Sequence, residues 1–259
     1  MDDDFPASFS QTFRIRYDEC GAGGALRAAV HLRLLQEIAF GHSAAVGFPL
    51  AWYEAERQFW VARRVRLVVH ARVAYGEAIT YTTRIAGARK VMARRFNTAV
   101  RAADGAQVAT CLTDWILTRE GVATARIPEA VLAAFPGMAE PVTPQPLVEP
   151  DPPAQVSRVS RQVRAGDLDA MRHVNHTVFL DLLDDAVIRE GGQAAVESYP
   201  RTYNLRYGAA AQVGEPLCDV AWQKDDRWFY RLERPREIVA IFHGQLSRGT
   251  PEPCRRTES

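Results

Sequence analysis

The chain has 259 residues, 47% of them hydrophobic and 24% charged, a balance typical of a folded protein with one core or two small ones. Its 32 Lys and Arg against 31 Asp and Glu leave a net charge of +1, too little for a global field that would hold nucleic acid or an anionic membrane. No apolar run approaches the roughly 18 residues of a membrane span. The opening Met-Asp-Asp-Asp-Phe-Pro does not read as a secretory leader. Cys20, Cys111, Cys218 and Cys254 stand too far apart for a zinc site or a disulfide framework, so a reducing cytoplasm is the expected compartment.

In chain order, residues 10–17 read as a short strand, followed by the glycine-rich turn Gly21-Ala22-Gly23-Gly24. A helical pattern then covers residues 25–46, with Leu32, Leu35 and Ala39 on one face. Strand-like stretches follow at 59–73, 78–86, 93–102 and 108–118, with Asp104-Gly105 where a hairpin turn is needed. Residues 136–156 are proline-rich, with six prolines between Pro141 and Pro153. Proline fixes φ and removes a donor, so this stretch reads as an extended, semi-rigid linker. Beyond it come a strand at 157–165, a polar cluster, a helical pattern over 175–190, and strands at 201–213, 217–223, 228–233 and 238–245. Asp225-Asp226 marks a second hairpin turn. The expected domains are 8–135 and 157–249, joined by the linker 136–156 and followed by a tail, 250–259.

The two halves therefore run through the same order of elements. Leu34-Leu35-Gln36-Glu37 matches Leu182-Leu183-Asp184-Asp185, and Tyr75-Gly76-Glu77 matches Val213-Gly214-Glu215. Duplication is the expected origin. One helix and four or five antiparallel strands, twice, place the chain in the α+β class, with a helix wrapped by a sheet in each half. Two such repeats joined edge to edge would make one continuous sheet.

The densest polar cluster is Gly166-Asp167-Leu168-Asp169-Ala170-Met171-Arg172-His173-Val174-Asn175-His176, just before the second helix. A helix N-terminus offers unpaired N–H donors and a partial positive charge, a place for the oxyanion of a carbonyl under attack. A carboxylate beside it can activate water or attack directly. Asp167 reads as a helix-capping residue, and Asp169 with His173 and Asn175 as the functional set. Offset by the 148 residues that separate the matched helices, Gly21 stands where Asp169 stands and Arg27 where Asn175 stands, so only the second half keeps the cluster.

Other candidates are weaker. Gly41-His42-Ser43-Ala44-Ala45 lacks the last glycine of a nucleophile elbow. The turn at Gly21–Gly24 lacks the Gly-Lys ending of a phosphate loop. His31 and His42 on the first helix, and His70 and His243 in strands, read as packing or surface residues. Trp222 and Trp228-Phe229-Tyr230 read as sheet packing. Arg89, Lys90, Arg94 and Arg95 flank a turn. They are either a solvated hairpin or a dock for an acidic carrier protein.

Over most of residues 9–249 the chain resembles the plant and bacterial acyl-ACP thioesterases, which are tandem hotdog proteins. FRIRYDECGAGGALRAAVHLRLLQEIA is similar to that family's opening strand, turn and long helix. ARKVMARR, Asp114-Trp115 and Arg126-Ile127-Pro128-Glu129 follow in similar order, and DLDAMRHVN resembles the family's signature before its second helix. The resemblance implies a double hotdog fold and hydrolysis of a fatty acyl or polyketide thioester on acyl carrier protein. Asp169 and His173 would be catalytic, Asn175 supporting, and no metal or organic cofactor is required. Two positions depart from the pattern: Met171 replaces an Asn, and Gly208-Ala209-Ala210-Ala211 stands where a Glu or Cys is expected. The expected partner is acyl carrier protein, with no nucleic acid or membrane, and a homodimer is left open. The alternatives are an acyl-CoA thioesterase, a hotdog enoyl hydratase or dehydratase, and a non-catalytic acyl-carrier-binding protein.

Overall fold

The computed structural model describes residues 6–120, 123–142, 147, 149–235 and 239–249. Cys254 and the tail, Ile238, and Pro144, Pro146 and Val148 of the linker lie outside them. The first half runs β1 (Ser8–Arg14), α1 (Ala28–Ala45), α2 (Leu50–Ala55), β2 (Gln58–Val69), β3 (Ala78–Arg89), β4 (Met92–Arg101), β5 (Gln107–Arg119), β6 (Ala123–Thr124) and α3 (Glu129–Ala134). The second runs β7 (Arg158–Gln162), α4 (Val178–Arg189), α5 (Gln193–Val196), β8 (Arg201–Tyr207), β9 (Pro216–Lys224), β10 (Arg227–Arg234) and β11 (Val239–Arg248).

The strands form one antiparallel sheet in the order β1-β3-β4-β5-β2-β8-β11-β10-β9-β7, with β6 paired to β5. Read outward from the β2–β8 seam, each half repeats the other strand for strand. The seam is an antiparallel ladder from Arg64–Arg206 to Val69–Arg201. It joins the two halves edge to edge, as the duplicated pattern requires. The fold is a tandem hotdog.

Alternation along each strand sends every second side chain to the helix side. In β3 these are Ile79, Tyr81, Thr83 and Ile85, all buried. In β10, Trp228 and Tyr230 turn inward, while Phe229 stacks outward on Trp222 at 5.6 Å, so these aromatics are sheet packing. The helices α1 and α4 lie side by side under the sheet and share one core, in which Leu32, Ile38, Leu67, Leu180, Tyr203 and Phe242 are fully buried. Removing such an aromatic typically costs about 3–5 kcal/mol, because the lost transfer energy adds to an unfilled cavity.

Three expectations are corrected. The stretch 201–213 is not one strand: β8 ends at Tyr207, and Gly208 follows it with its amide donating to the Ile241 carbonyl at 2.7 Å, an approach at which a Cβ would stand 2.9 Å from that oxygen. His70 falls just beyond β2 rather than within a strand. The linker is not extended throughout. Pro136–Ala139 makes a 3-10 turn with Met138 buried in the first half. Further along, Glu149 lies against the sheet, bonded to Arg231 at 2.5 Å and His243 at 2.7 Å.

Candidate active site

The loop before α4 turns on itself through its own backbone. The Asp169 amide donates to the His173 carbonyl at 2.9 Å, and the Arg172 amide to the Asp169 carbonyl at 3.0 Å. Arg172 sits at φ 61 to close this turn. Asp167, read as a cap of the second helix, instead closes the 3-10 turn Ala165–Asp167 ahead of it: it accepts from the Arg164 amide at 2.9 Å and from its guanidinium at 2.7 Å, and Thr177 stands at the N-cap of α4. Burial would raise the Asp167 carboxyl, but the bonds from Arg164 prevail and hold it below the usual carboxylate range.

Asp169 is fixed by the loop it helps to build. Its Oδ1 accepts the Met171 amide at 2.9 Å and the His173 amide at 3.4 Å. Its Oδ2 has no hydrogen-bond partner among the described residues. One oxygen is thus anchored and the other is left for a water or a substrate. The His173 ring is not bonded to Asp169, although the two residues line the same cavity. Asn175 lies outside that lining. Its Oδ1 accepts the Thr177 amide at 3.0 Å, and its Nδ2 donates to Gln36 Oε1 on α1 at 3.2 Å. It ties the loop to the opposite half.

The cavity holds about 610 Å³ and draws on both halves. The loop contributes Asp169, Met171, His173 and His176, and the end of β8 contributes Tyr207, Gly208, Ala209 and Ala210. The alanines that replace an expected Glu or Cys therefore do face the site, as space rather than as a reacting group. Much of the rest comes from α1, α2 and the first-half strands, among them Phe40, Tyr53, Phe59 and Ile116, with Phe179 of α4 and Ile241 of β11 from the second half. A mostly apolar cavity beside a single carboxylate suits a long acyl chain.

Two residues escaped the sequence reading. His176 packs edge-on against Trp115 at 5.3 Å and Tyr207 at 5.9 Å. Burial pushes its imidazole down to about 4, so it is neutral at neutral pH. Its backbone amide has no acceptor among the described residues. The signal was its place, three residues after His173 at the start of the helix. Gln36 is the other, and only the contact between halves reveals it.

The four basic residues expected to act together do not form one patch. Arg89 and Lys90 are exposed on the β3–β4 hairpin. Arg94 is held by Asp114 of the neighbouring strand at 2.6 and 2.9 Å. Arg95 is buried. Successive residues of a strand face opposite sides of the sheet, so Arg94 and Arg95 could not share a surface. His31 and His42 are buried packing residues, as expected. Among the described residues no cluster of His, Cys, Asp and Glu could hold a metal, and no helix is long and apolar enough to cross a membrane.

Comparison with known structures agrees on the fold. A protein described as an oleoyl thioesterase from Lactobacillus plantarum superposes with a TM-score of 0.77 at 19% identity, covering 95% of this chain and 97% of its own. An acyl-ACP thioesterase from Bacteroides thetaiotaomicron gives 0.77 at 14%, covering 93% and 97%. The 12:0-ACP thioesterase from Umbellularia californica gives 0.77 at 16%, covering 93% and 97%. No curated protein matches the chain. The family model of the acyl-ACP thioesterase N-terminal domain matches residues 6–135, half of the sequence. The chain therefore belongs to the acyl-ACP thioesterase family, and its reaction is hydrolysis of a fatty acyl thioester held on acyl carrier protein.

Proposed function

We propose that Asp169 is the general base of this hydrolysis. The observation behind it is the divided carboxylate: Oδ1 is anchored by two loop amides, and Oδ2 is unpartnered in a residue that lines the acyl cavity. Oδ2 takes a proton from water, and the water oxygen adds to the thioester carbonyl. The developing oxyanion sits at the start of α4, where the His176 amide is free and the helix dipole favours negative charge. His173, on the same wall, orients the water or the carbonyl. Asn175 positions the loop and does not touch the substrate. Collapse of the adduct expels the thiolate, which needs no dedicated acid because it is a good leaving group, and the proton on Asp169 returns to it. The acyl chain lies along the cavity toward the first half.

Thiol release from an acyl-carrier substrate tests this. Asp169→Asn keeps the anchoring oxygen and loses the base. It should lower kcat by about 10²–10⁴ with little change in KM. A near-normal kcat in a folded variant would move the base elsewhere.

A further inference from the structure

Two arginines line the cavity with no part in the hydrolysis described above: Arg63, which donates to the Tyr207 carbonyl at 2.6 Å, and Arg95. Arg95 projects from β4 to the helix side of the sheet and is nine-tenths buried. Its Nη1 lies 3.1 Å from His42 Nδ1 and 3.4 Å from Thr83 Oγ1. The guanidinium also lies 5.5 Å from the centre of the Phe135 ring. None of these neighbours supplies negative charge. His42 Nε2 faces the Pro6 carbonyl oxygen at 2.9 Å, so that ring donates there, accepts from Arg95 and is neutral. Burial pushes the guanidinium down only to about 10, so it stays charged at neutral pH.

The contrast with its neighbour is direct. Arg94 has both oxygens of Asp114. Among the described residues no carboxylate pairs with Arg95, and its Nε and Nη2 have no hydrogen-bond partner. A buried charge without a counter-charge is among the costliest arrangements in a protein. Arg95 also lines the same cavity as Asp169. The two stand toward different ends of it. Asn175, at the loop end, bonds to Gln36 of α1, while Arg95 bonds to His42, nearly two turns further along that helix. At 1.5 Å per residue that is roughly 10 Å. The lining of the cavity is mainly apolar and includes Phe40, which lies between Gln36 and His42 on α1, with Phe59 and Ile116.

We propose that Arg95 receives a carboxylate at the far end of the acyl chain, so that the preferred substrate is an ω-carboxyacyl thioester rather than a methyl-ended one. This rests on the hydrolysis reading and specifies its substrate. The guanidinium offers two free N–H groups in a fork that matches two carboxylate oxygens. The bonds made and broken are those of ordinary thioester hydrolysis. Water oxygen joins the acyl carbon, the carbon–sulfur bond breaks, and the thiol takes the proton, leaving a free dicarboxylic acid. A methyl terminus at the same place would face a bare charge.

The test is a panel of C6–C12 acyl groups on acyl carrier protein, each length made both methyl-ended and ω-carboxy-ended, with thiol release as readout. At the best length, wild-type kcat/KM should favour the carboxy-ended member at least tenfold. Arg95→Met should collapse that ratio toward one, through a higher KM for the carboxy-ended member, and Arg95→Lys should restore part of it. Wild-type preference for the methyl-ended chain overturns the proposal without need of any variant. So does a ratio that Arg95→Met leaves unchanged. If no member of the panel releases thiol, the hydrolysis reading fails instead. Arg95 is then read by binding. A free C6–C12 dicarboxylic acid should raise the Tm of the wild type and not of Arg95→Met, and no shift in the wild type would overturn the assignment.

Discussion

Two loops of this molecule turn before a buried helix, one at residues 16–27 and the other at 164–175. In the first, the Glu19 carboxylate accepts the Arg16 amide at 2.7 Å; in the second, Asp167 accepts the Arg164 amide at 2.9 Å. The Gly21 amide bonds the Ala25 carbonyl, and the Asp169 amide bonds the His173 carbonyl, both at 2.9 Å. The bridge Cys20–Leu26 answers Leu168–Val174. Gly24 at φ +67 answers Arg172 at φ 61. Every one of these pairs is 148 residues apart. Even the ties across the molecule correspond: Arg27 reaches Asp181 on α4 at 3.5 Å, and Asn175 reaches Gln36 on α1 at 3.2 Å. The backbone of this loop has thus been kept twice, while the carboxylate of Asp169, the imidazole of His173 and the amide of Asn175 occur in the second half alone. Loop geometry here is a matter of folding, and the polar side chains placed on it differ between the two halves.

The sharpest way to break that comparison is to exchange the residues at its centre. Asp169→Gly gives the second loop the first loop's residue. It should cost about 10²–10⁴ in turnover while the circular dichroism spectrum and Tm stay close to wild type. Gly21→Asp is the reciprocal change. A Cβ at Gly21 would meet only Arg27 Cγ at 3.5 Å and the Ala25 oxygen at 3.9 Å, so there is room for it. It should fold and should not rescue Asp169→Gly, because Arg27 and Ala25 stand where Asn175 and His173 would be needed. Rescue would mean that a carboxylate on either loop suffices.

A smaller effect should separate the two loops at their left-handed residue. Gly24 adopts φ +67 at no steric cost, whereas a side chain there is strained. Gly24→Ala should lower stability by about 1–2 kcal/mol in a urea titration. Arg172 already carries that strain, so Arg172→Gly should be neutral to about 1 kcal/mol stabilising, the gain being offset by a more flexible unfolded chain. If Gly24→Ala proves neutral, the turn does not demand the left-handed region and the correspondence at that position is coincidental.

Much of this was legible in the sequence. The offset between the Leu34-Leu35 and Leu182-Leu183 motifs aligned Gly21 with Asp169 and Arg27 with Asn175, which is how the loops superpose. Gly76 and Gly214, matched by the second motif, both turn at positive φ, and the glutamates after them accept the amides of Ala74 and Gln212. These signals are local, and local hydrogen bonding fixes them. What could not be read depends on parity or on partners distant in the chain. Arg94 and Arg95 are adjacent in sequence and go to opposite faces of β4. Which of them faces inward depends on pairing with β3 and β5. The close backbone approach at Gly208 depends on Ile241, and the role of Gln36 on Asn175. No single-segment pattern contains these partners.

The last difference between the loops is acid sensitivity. Position 176 is a histidine in the second half; its counterpart 148 residues earlier is Ala28, which cannot titrate. Burial against Trp115 and Tyr207 holds the His176 imidazole at about 4, well below the 6.5 of an unfolded chain. Between these values the unfolded chain binds a proton that the folded chain refuses. Stability from this group is therefore full above about pH 6.5 and is lost as pH falls toward 4. Other groups with shifted titration complicate the absolute profile. Asp184, raised to about 7 chiefly by burial, acts in the opposite sense. They cancel when two proteins differing at one position are compared. His176→Ala restores the first loop's residue and should flatten the decline in Tm between pH 7 and pH 5 relative to wild type, whatever its effect at pH 7. Parallel profiles would show that His176 titrates alike in both states and would overturn this reading.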